Sequence, residues 1–426
     1  MQRTLKKQFL IRDCTLADGS LAVLWQDGAQ SRFPLEWLKA SVRTPARFAP
    51  DSLEYTDNPL LAGVGDPTVQ AFEIREDRLL LRWQDEAEEF DSSWLRAHDG
   101  PTSTDPDARA GQRLWDSTFR IPTLRYDDAL KDPSWITALH RDGILAVHGI
   151  QPGDQRAAEI ALERIASEIG VLHRRVHPTD INVLVPAPKN VSLDKAYTGG
   201  HLEYHTDAPY YDPPPKIAFL FCQSIEGGPT PVNYFSDGYA VARAIEREDP
   251  AAYKLLTSTR VHFARRRPRS HHEELGHSQT RYALDTQVLA PFIATDELGL
   301  PSILRVHTRS VTGLPPDTPG DRIRAFAAAY RLFNERIGAA PFVREIVIEP
   351  GTLIIFDNHR LGHARSAIST ATRRVANLCY VDDYIWQSRL RLILAEKAAL
   401  PERWLKGCST GTLQRLANRW ATDHGD

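Results

Sequence analysis

The pattern His205-Thr206-Asp207, answered 158 positions later by His363, constrains the fold of this 426-residue chain more than any other feature. In an extended segment side chains alternate between faces, so His205 and Asp207 point one way and Thr206 the other. His363 has to arrive on another strand, so the fold must bring two distant segments side by side. Two imidazoles and one carboxylate are the ligand set that holds a non-haem ferrous ion on one face and leaves its other positions open. Polar side chains also commonly satisfy one another with no metal involved, and the same three groups around zinc would activate water for hydrolysis. The surrounding sequence has to decide between these readings.

Charge and composition exclude several classes. A formal charge of -3 gives no broad electrostatic footprint for nucleic acid. Met1 to Arg12 is basic and polar, without the apolar core of a secretory signal. No segment reaches the roughly 18 apolar residues that a membrane span needs. Cys14, Cys222, Cys379 and Cys408 are scattered, so neither a disulfide framework nor a cysteine zinc cluster is expected. The expectation is a cytoplasmic protein acting on a small molecule, with no nucleic-acid or membrane partner.

The first hundred residues hold a degenerate repeat. Leu21 to Gly28, with Trp25-Gln26-Asp27 at its end, leads to Phe33 and Trp37-Leu38; Leu79 to Glu86, with Trp83-Gln84-Asp85, leads to Phe90 and Trp94-Leu95. Each copy reads as an apolar strand, a polar turn, a return strand and a short helical turn. The stretch from Asp99 to Asp107, rich in Pro, Asp, Ser and Thr, marks a linker near residue 105. This divides the chain into a small β-rich domain, residues 1–105, and a larger one, residues 106–426. In the second, strands are expected at Gly143 to Val147, Ile217 to Cys222, Pro231 to Phe235, Arg281 to Asp285, Val343 to Ile348, Thr352 to Phe356 and Val375 to Val381. Helices are expected at Gln155 to Gly170, Tyr239 to Glu246 and Asp321 to Ile337, with a helical tail from Ser388 to Ala421. Strands without regular βαβ alternation favour a sandwich or barrel with helical insertions.

Ten residues past His363, Arg373-Arg374 opens an apolar strand, and an arginine facing inward there can grip a carboxylate with two parallel hydrogen bonds. For Arg373 a solvent-exposed ion pair is the better reading. His271-His272-Glu273-Glu274-Leu275-Gly276-His277 misses a zinc-protease helix by one residue, since Gly276 stands where the second histidine is required. That stretch reads as part of an insertion between core strands, a cover over the site. Arg265-Arg266-Arg267-Pro268-Arg269 reads as a solvated charge run.

The segments Tyr197 to Asp207, Gly227-Gly228, Phe356-Asp357-Asn358 to His363, Tyr380-Val381-Asp382 and Ser388 to Arg391 together resemble the taurine-dioxygenase-like 2-oxoglutarate oxygenases, and within them the γ-butyrobetaine and trimethyllysine hydroxylases. The resemblance extends to the Trp-Gln-Asp and Trp-Leu repeat, which is similar to that subfamily's small N-terminal domain. It implies a mainly β fold with α, a distorted double-stranded β-helix (jelly-roll) core. It implies Fe(II) held by His205, Asp207 and His363, with 2-oxoglutarate and O2 as co-substrates. Arg374, 11 residues after His363, matches the arginine for the distal carboxylate of 2-oxoglutarate, and Thr230 the hydroxyl that assists it. Tyr197, Asp194, His177 and Tyr380 are the implied substrate-facing residues. A homodimer is the implied assembly. The implied reaction is hydroxylation of an unactivated C–H, with desaturation or cyclisation, as in natural-product or phosphonate tailoring, as alternatives.

Two departures narrow what the resemblance implies. That subfamily binds a structural zinc in its N-terminal domain, but Val42, Thr44, Arg47 and Ala87 occupy the aligned positions here and cannot supply thiolates and imidazole. No structural zinc is expected. A trimethylammonium group is recognised by a cage of aromatic faces, yet Leu172 to Ile181 is basic and aliphatic and Ala208 follows Asp207 where an aromatic is expected. Arg174, Arg175 and His177 would more naturally meet an anion or form a solvated basic face.

Overall fold

The computed structural model describes residues 9–41, 48–49, 51–52, 54–56, 58–84, 86–99, 112–151, 153–173, 181–185, 198–267, 284–296, 299–400, 408 and 410–424. The chain forms two compact units, one of Met1–Gly111 with Arg391–Asp426 and one of Gln112–Leu390. The tail from Arg391 therefore groups with the N-terminal unit, whereas the sequence reading left it with the larger domain. Thr412 Oγ1 and Arg415 Nη2 both donate to the Asp99 carbonyl, at 2.7 and 3.1 Å, and these bonds fasten the tail there. Among the described residues no helix is long and apolar enough to cross a membrane.

In the first unit the repeat is a pair of three-stranded meanders, one strand longer at each start than the sequence reading. Strands β1 (Ile11–Ala17), β2 (Ser20–Trp25) and β3 (Gln30–Pro34) lead into the helix Leu35–Ala40. A short ladder of β4 (Phe48–Ala49) and β5 (Glu54–Tyr55) intervenes. Then β6 (Val69–Arg75), β7 (Arg78–Trp83) and β8 (Ala87–Asp91) lead into the helix Ser92–Ala97. Asp18 and Gly19 both have positive φ, 48° and 68°, the backbone that a two-residue hairpin between twisted strands requires. Leu21, Val23, Trp25, Phe33 and Leu38 of the first copy share one core with Leu79, Leu81, Trp83, Phe90 and Leu95 of the second. The two copies also exchange cations. Lys39, on the first helix, lies 5.0 Å from the Trp83 ring and 2.5 Å from Glu86 Oε1. Its counterpart Arg96, on the second helix, stands 5.0 Å over the Trp25 ring and 3.3 Å from Asp27 Oδ2.

The second unit mixes helices with many strands. One sheet has the order β11 (Asn182–Leu184), β23 (Arg373–Val381), β13 (Ile217–Glu226), β21 (Leu353–Asp357), β10 (Ile144–His148) and β9 (Thr123–Arg125). A four-stranded sheet has the order β12 (Leu202–His205), β22 (Leu361–Arg365), β14 (Val232–Asp237) and β20 (Val343–Val347). Ile144, Ala218, Ile354, Phe356 and Ala376 of the first sheet and Phe235 and Leu361 of the second belong to one core, so the sheets face each other. Strands of the six-stranded sheet are near-continuous apolar runs, such as the fully buried Leu353–Asp357, because helices including Trp135–Asp142 and Gln155–Ala166 cover their other side.

An insertion follows β14. Helices Gly238–Glu248 and Pro250–Ser258 lead to β15 (Arg260–Arg267), which pairs with β16 (Leu284–Pro291) and β19 (Val311–Gly313). A hairpin of β17 (Ile293–Thr295) and β18 (Pro301–Leu304) lies within it, and the helix Gly320–Arg336 closes it. Arg265, Arg266 and Arg267 form the end of this strand, with Arg266 solvated as expected; Val261 and Phe263 fill its alternate buried positions. Residues 268–283, with the His271 to His277 stretch, lie outside the described residues.

Candidate functional site

His205 and His363 are direct cross-strand partners at the junction of β12 and β22, with Phe235 of β14 opposite His363 on its other side. Cross-strand partners have their Cβ atoms about 4.5–5.5 Å apart, and here the imidazole centroids are 4.0 Å apart. Asp207 completes the cluster just past the end of β12. Its Oδ1 is 3.6 Å from His205 Nε2 and its Oδ2 3.7 Å from His363 Nε2. One ligand atom from each of the three residues lies within 4.8 Å of the others.

The surroundings leave these atoms ready to coordinate. His205 Nδ1 is 2.8 Å from the Glu203 carbonyl, which can only accept, so Nδ1 carries a proton and Nε2 is the nitrogen turned toward the cluster. Burial first, and then the neighbouring His205, push His363 down to about 3, against the opposing pull of Asp207; its ring is neutral and able to ligate. Thr206 points away, as alternation requires: its N–H donates to the Val306 carbonyl at 2.6 Å and its hydroxyl accepts from Val306 N–H at 3.1 Å. The triplet is pinned from behind while its first and third side chains face the cluster. Both nitrogens are borderline ligands and the carboxylate a hard one, a donor set that suits ferrous iron.

Asp207 is held by at least two described residues. Asn358, fully buried, accepts from Asp207 N–H through Oδ1 at 2.7 Å and donates from Nδ2 to the Asp207 carbonyl at 3.0 Å and the Pro215 carbonyl at 2.9 Å. Tyr380 donates its hydroxyl proton to Asp207 Oδ2 at 2.7 Å. Both residues sat inside quoted motifs, but their grip on Asp207 depends on tertiary contacts that no local pattern encodes.

The two arginines that open β23 part as strand alternation dictates. Arg373 is exposed, with Glu226 3.8 Å away. Arg374 is 5% exposed, and burial lowers its proton affinity while the Cys222 thiol beside it opposes the shift. Its Nε and Nη2, the two donors on one edge of the guanidinium, find no partner among the described residues. A buried fork with both prongs unpaired is matched to a carboxylate, which takes two parallel hydrogen bonds from that edge, so the site fits an acidic co-substrate. Arg365, two residues past His363 on β22, is pushed down to about 10 by burial and then by the Arg374 cation nearby. It donates from Nη2 to the Thr198 and Gly200 carbonyls at 2.8 and 2.9 Å, tying down the start of the triplet's segment. Sequence reasoning had no signal for this role.

Thr230 is partly buried in the turn before β14, and neighbouring Pro229 accepts from Thr372 Oγ1 at 3.1 Å. Tyr197, Asp194, His177, Arg174 and Arg175 lie outside the described residues, as do Val42, Thr44 and Arg47. Of the substrate-facing candidates only Tyr380 is described, and it is buried among core residues with 1% exposure.

A two-histidine, one-carboxylate cluster in a unit that also buries an arginine with an edge unpaired among the described residues fits one class: a non-haem iron oxygenase that uses Fe(II) and 2-oxoglutarate. Residues 104–380 match the family model described as Taurine catabolism dioxygenase TauD, TfdA family, and the chain belongs to that family. It is 29% identical over 378 residues to the gamma-butyrobetaine dioxygenase of Pseudomonas sp. (strain AK-1), covering 85% of this chain and 90% of that protein. It is 25% identical over 410 residues to the gamma-butyrobetaine dioxygenase of Homo sapiens, covering 90% and 97%. A solved structure with some likeness is that of AAD-2 in complex with Mn(II) and N-oxalylglycine, with a TM-score of 0.45 and 14% identity over 63% of this chain and 95% of that one.

Proposed function

We propose that this chain hydroxylates an unactivated C–H of a small organic molecule in a jelly-roll core, with His205, Asp207 and His363 holding the iron and Arg374 holding the distal carboxylate of 2-oxoglutarate. Thr230 is assigned beside Arg374, and Tyr197, Asp194 and His177 toward the substrate. The observation that carries the reading is the pairing of the cross-strand triad with the unpartnered edge of buried Arg374. Fe(II) with bound 2-oxoglutarate and O2 supplies the oxidising chemistry, releasing succinate and CO2. The protein's part is orientation and exclusion of water. Neutral His363 presents a lone pair without a proton to displace, and His205 turns Nε2 toward the cluster. Asp207 supplies the negative charge, and its occupation of the third position favours hydroxylation over halogen transfer.

A homodimer in the cytoplasm is the proposed setting. The γ-butyrobetaine relatives favour a betaine substrate as a second reading, whereas Ala208 after Asp207 removes one aromatic face from a trimethylammonium cage. Screening betaines, amino acids, phosphonates and natural-product intermediates for substrate-dependent succinate formation separates the two. His205→Ala is expected to abolish that formation; retained turnover would sink the assignment. Arg374→Met is expected to raise KM for 2-oxoglutarate roughly 10–100-fold, the loss of hydrogen bonds to a charged group.

A further inference from the structure

The hydroxyl of Tyr380 donates to the Asp207 carboxylate at 2.7 Å. The ring is 1% exposed and belongs to the core shared by the two sheets, packed with Ala218, Phe356 and Ala376. Its backbone is fixed too, by the pairing of β23 with β13 that sets Tyr380 opposite Ala218. A phenol held this firmly cannot follow a wandering carboxylate, so the carboxylate must come to it. An ionised carboxylate only accepts, so the proton is the phenol's, and the bond is charge-assisted.

We propose that Tyr380 is a positioning residue for the metal carboxylate: it holds Asp207 Oδ2 and so fixes the orientation in which the carboxylate is offered to the metal. This rests on the iron reading of the triad. It also gives Tyr380 a different role from an aromatic face toward the substrate. Asn358 fixes the Asp207 backbone on both sides of the residue, which leaves rotation about the side-chain bonds as the remaining freedom, and the Tyr380 bond removes it. Arg374 and Tyr380 are six residues apart on β23, an even spacing that puts both on one face of the strand. One strand therefore addresses both ends of the chemistry: Arg374 the co-substrate carboxylate and Tyr380 the protein carboxylate.

The experiment compares Tyr380→Phe with the unaltered protein, using Mn(II) binding followed by electron paramagnetic resonance and, at saturating Mn(II), binding of N-oxalylglycine as the dicarboxylate probe. Phe keeps the ring and removes only the oxygen. The expected result is Mn(II) affinity weakened roughly 10–100-fold, as for other groups that orient metal ligands, with N-oxalylglycine affinity at saturating metal changed less than about twofold and an unaltered thermal transition. Equal Mn(II) affinity in the two proteins would overturn the proposal. So would a loss of N-oxalylglycine binding as large as the loss of metal, which would place Tyr380 at the ligand and not behind the carboxylate. In an Asp207→Ala background, Tyr380→Phe should have no further effect on residual Mn(II) binding, and a further drop there would also overturn it. Failure of the unaltered protein to bind Mn(II) would instead count against the iron reading itself, so the two ideas fail separately.

Discussion

At the scale of single residues the site depends on groups that never touch the chemistry. Asn358 is the clearest case, because its one side chain accepts from Asp207 N–H and donates to both the Asp207 and Pro215 carbonyls. Only a carboxamide offers a donor and an acceptor in that flat geometry. Asn358→Asp keeps the shape but sets a carboxylate oxygen against two carbonyls and strands both in a fully buried place. The expected cost is about 2–5 kcal/mol of stability, from the loss of two buried hydrogen bonds and added repulsion, with weaker Mn(II) binding in whatever protein folds. A thermal transition and metal affinity equal to the unaltered protein would show that the clamp contributes nothing. The triad could be read in the sequence because alternation along a strand is a local rule. Its supports could not, because residue 358 meets residue 207 only after the two sheets have closed on each other.

At the scale of elements, the N-terminal repeat was legible as two copies but not as one object. Apolar runs located two of the three strands in each copy, yet nothing local says that Lys39 serves the tryptophan of the other copy and Arg96 serves the tryptophan of the first. The exchange of cations locks the copies together through Trp25, Trp83 and the two acids. Ala87, where the resemblance would place a zinc-binding histidine, carries an exposed methyl and offers no ligand atom. The two halves of the exchange should not respond equally to truncation. Lys39→Met leaves behind Glu86, whose side chain is 42% exposed and can rehydrate, so the expected loss is about 1 kcal/mol. Arg96→Met takes the cation from Asp27, only 13% exposed, and from Asp99, and the expected loss is larger, about 3 kcal/mol. Denaturant unfolding of both variants checks the order, and a larger loss for Lys39→Met would refute the argument. Metal analysis of chelator-treated protein is expected to find no stoichiometric zinc.

At the scale of the whole molecule, the sequence located five of the seven strands expected in the larger unit to within a residue or two, while the strand expected at Ile217 to Cys222 runs on to Glu226 and that expected at Arg281 to Asp285 is Leu284–Pro291. It misplaced the tail and missed the strand ending in Arg267, since charge masks the alternation of Val261 and Phe263 and the Thr412 and Arg415 contacts to Asp99 span over 300 residues. The same long-range folding buries titratable groups, and His359 gives that burial a pH signature. Its Nε2–H donates to the Pro214 carbonyl at 2.8 Å, and burial, followed by the Lys216 cation, pushes it down to about 4 from an ordinary value of 6.5. The unfolded chain therefore binds a proton that the folded one refuses. The stability this neutral histidine contributes is fully present above pH 6.5, declines as pH falls below it, and is gone once pH passes through about 4. Between pH 7.5 and pH 5 the expected loss from this residue is about 2 kcal/mol, at 1.36 kcal/mol per unit. His359→Gln keeps a donor for Pro214 and removes the titration, so its denaturant midpoint should fall less steeply over that interval. Parallel profiles for the two proteins would mean that His359 takes up its proton in the folded state after all, and that the acid sensitivity of this unit has another source.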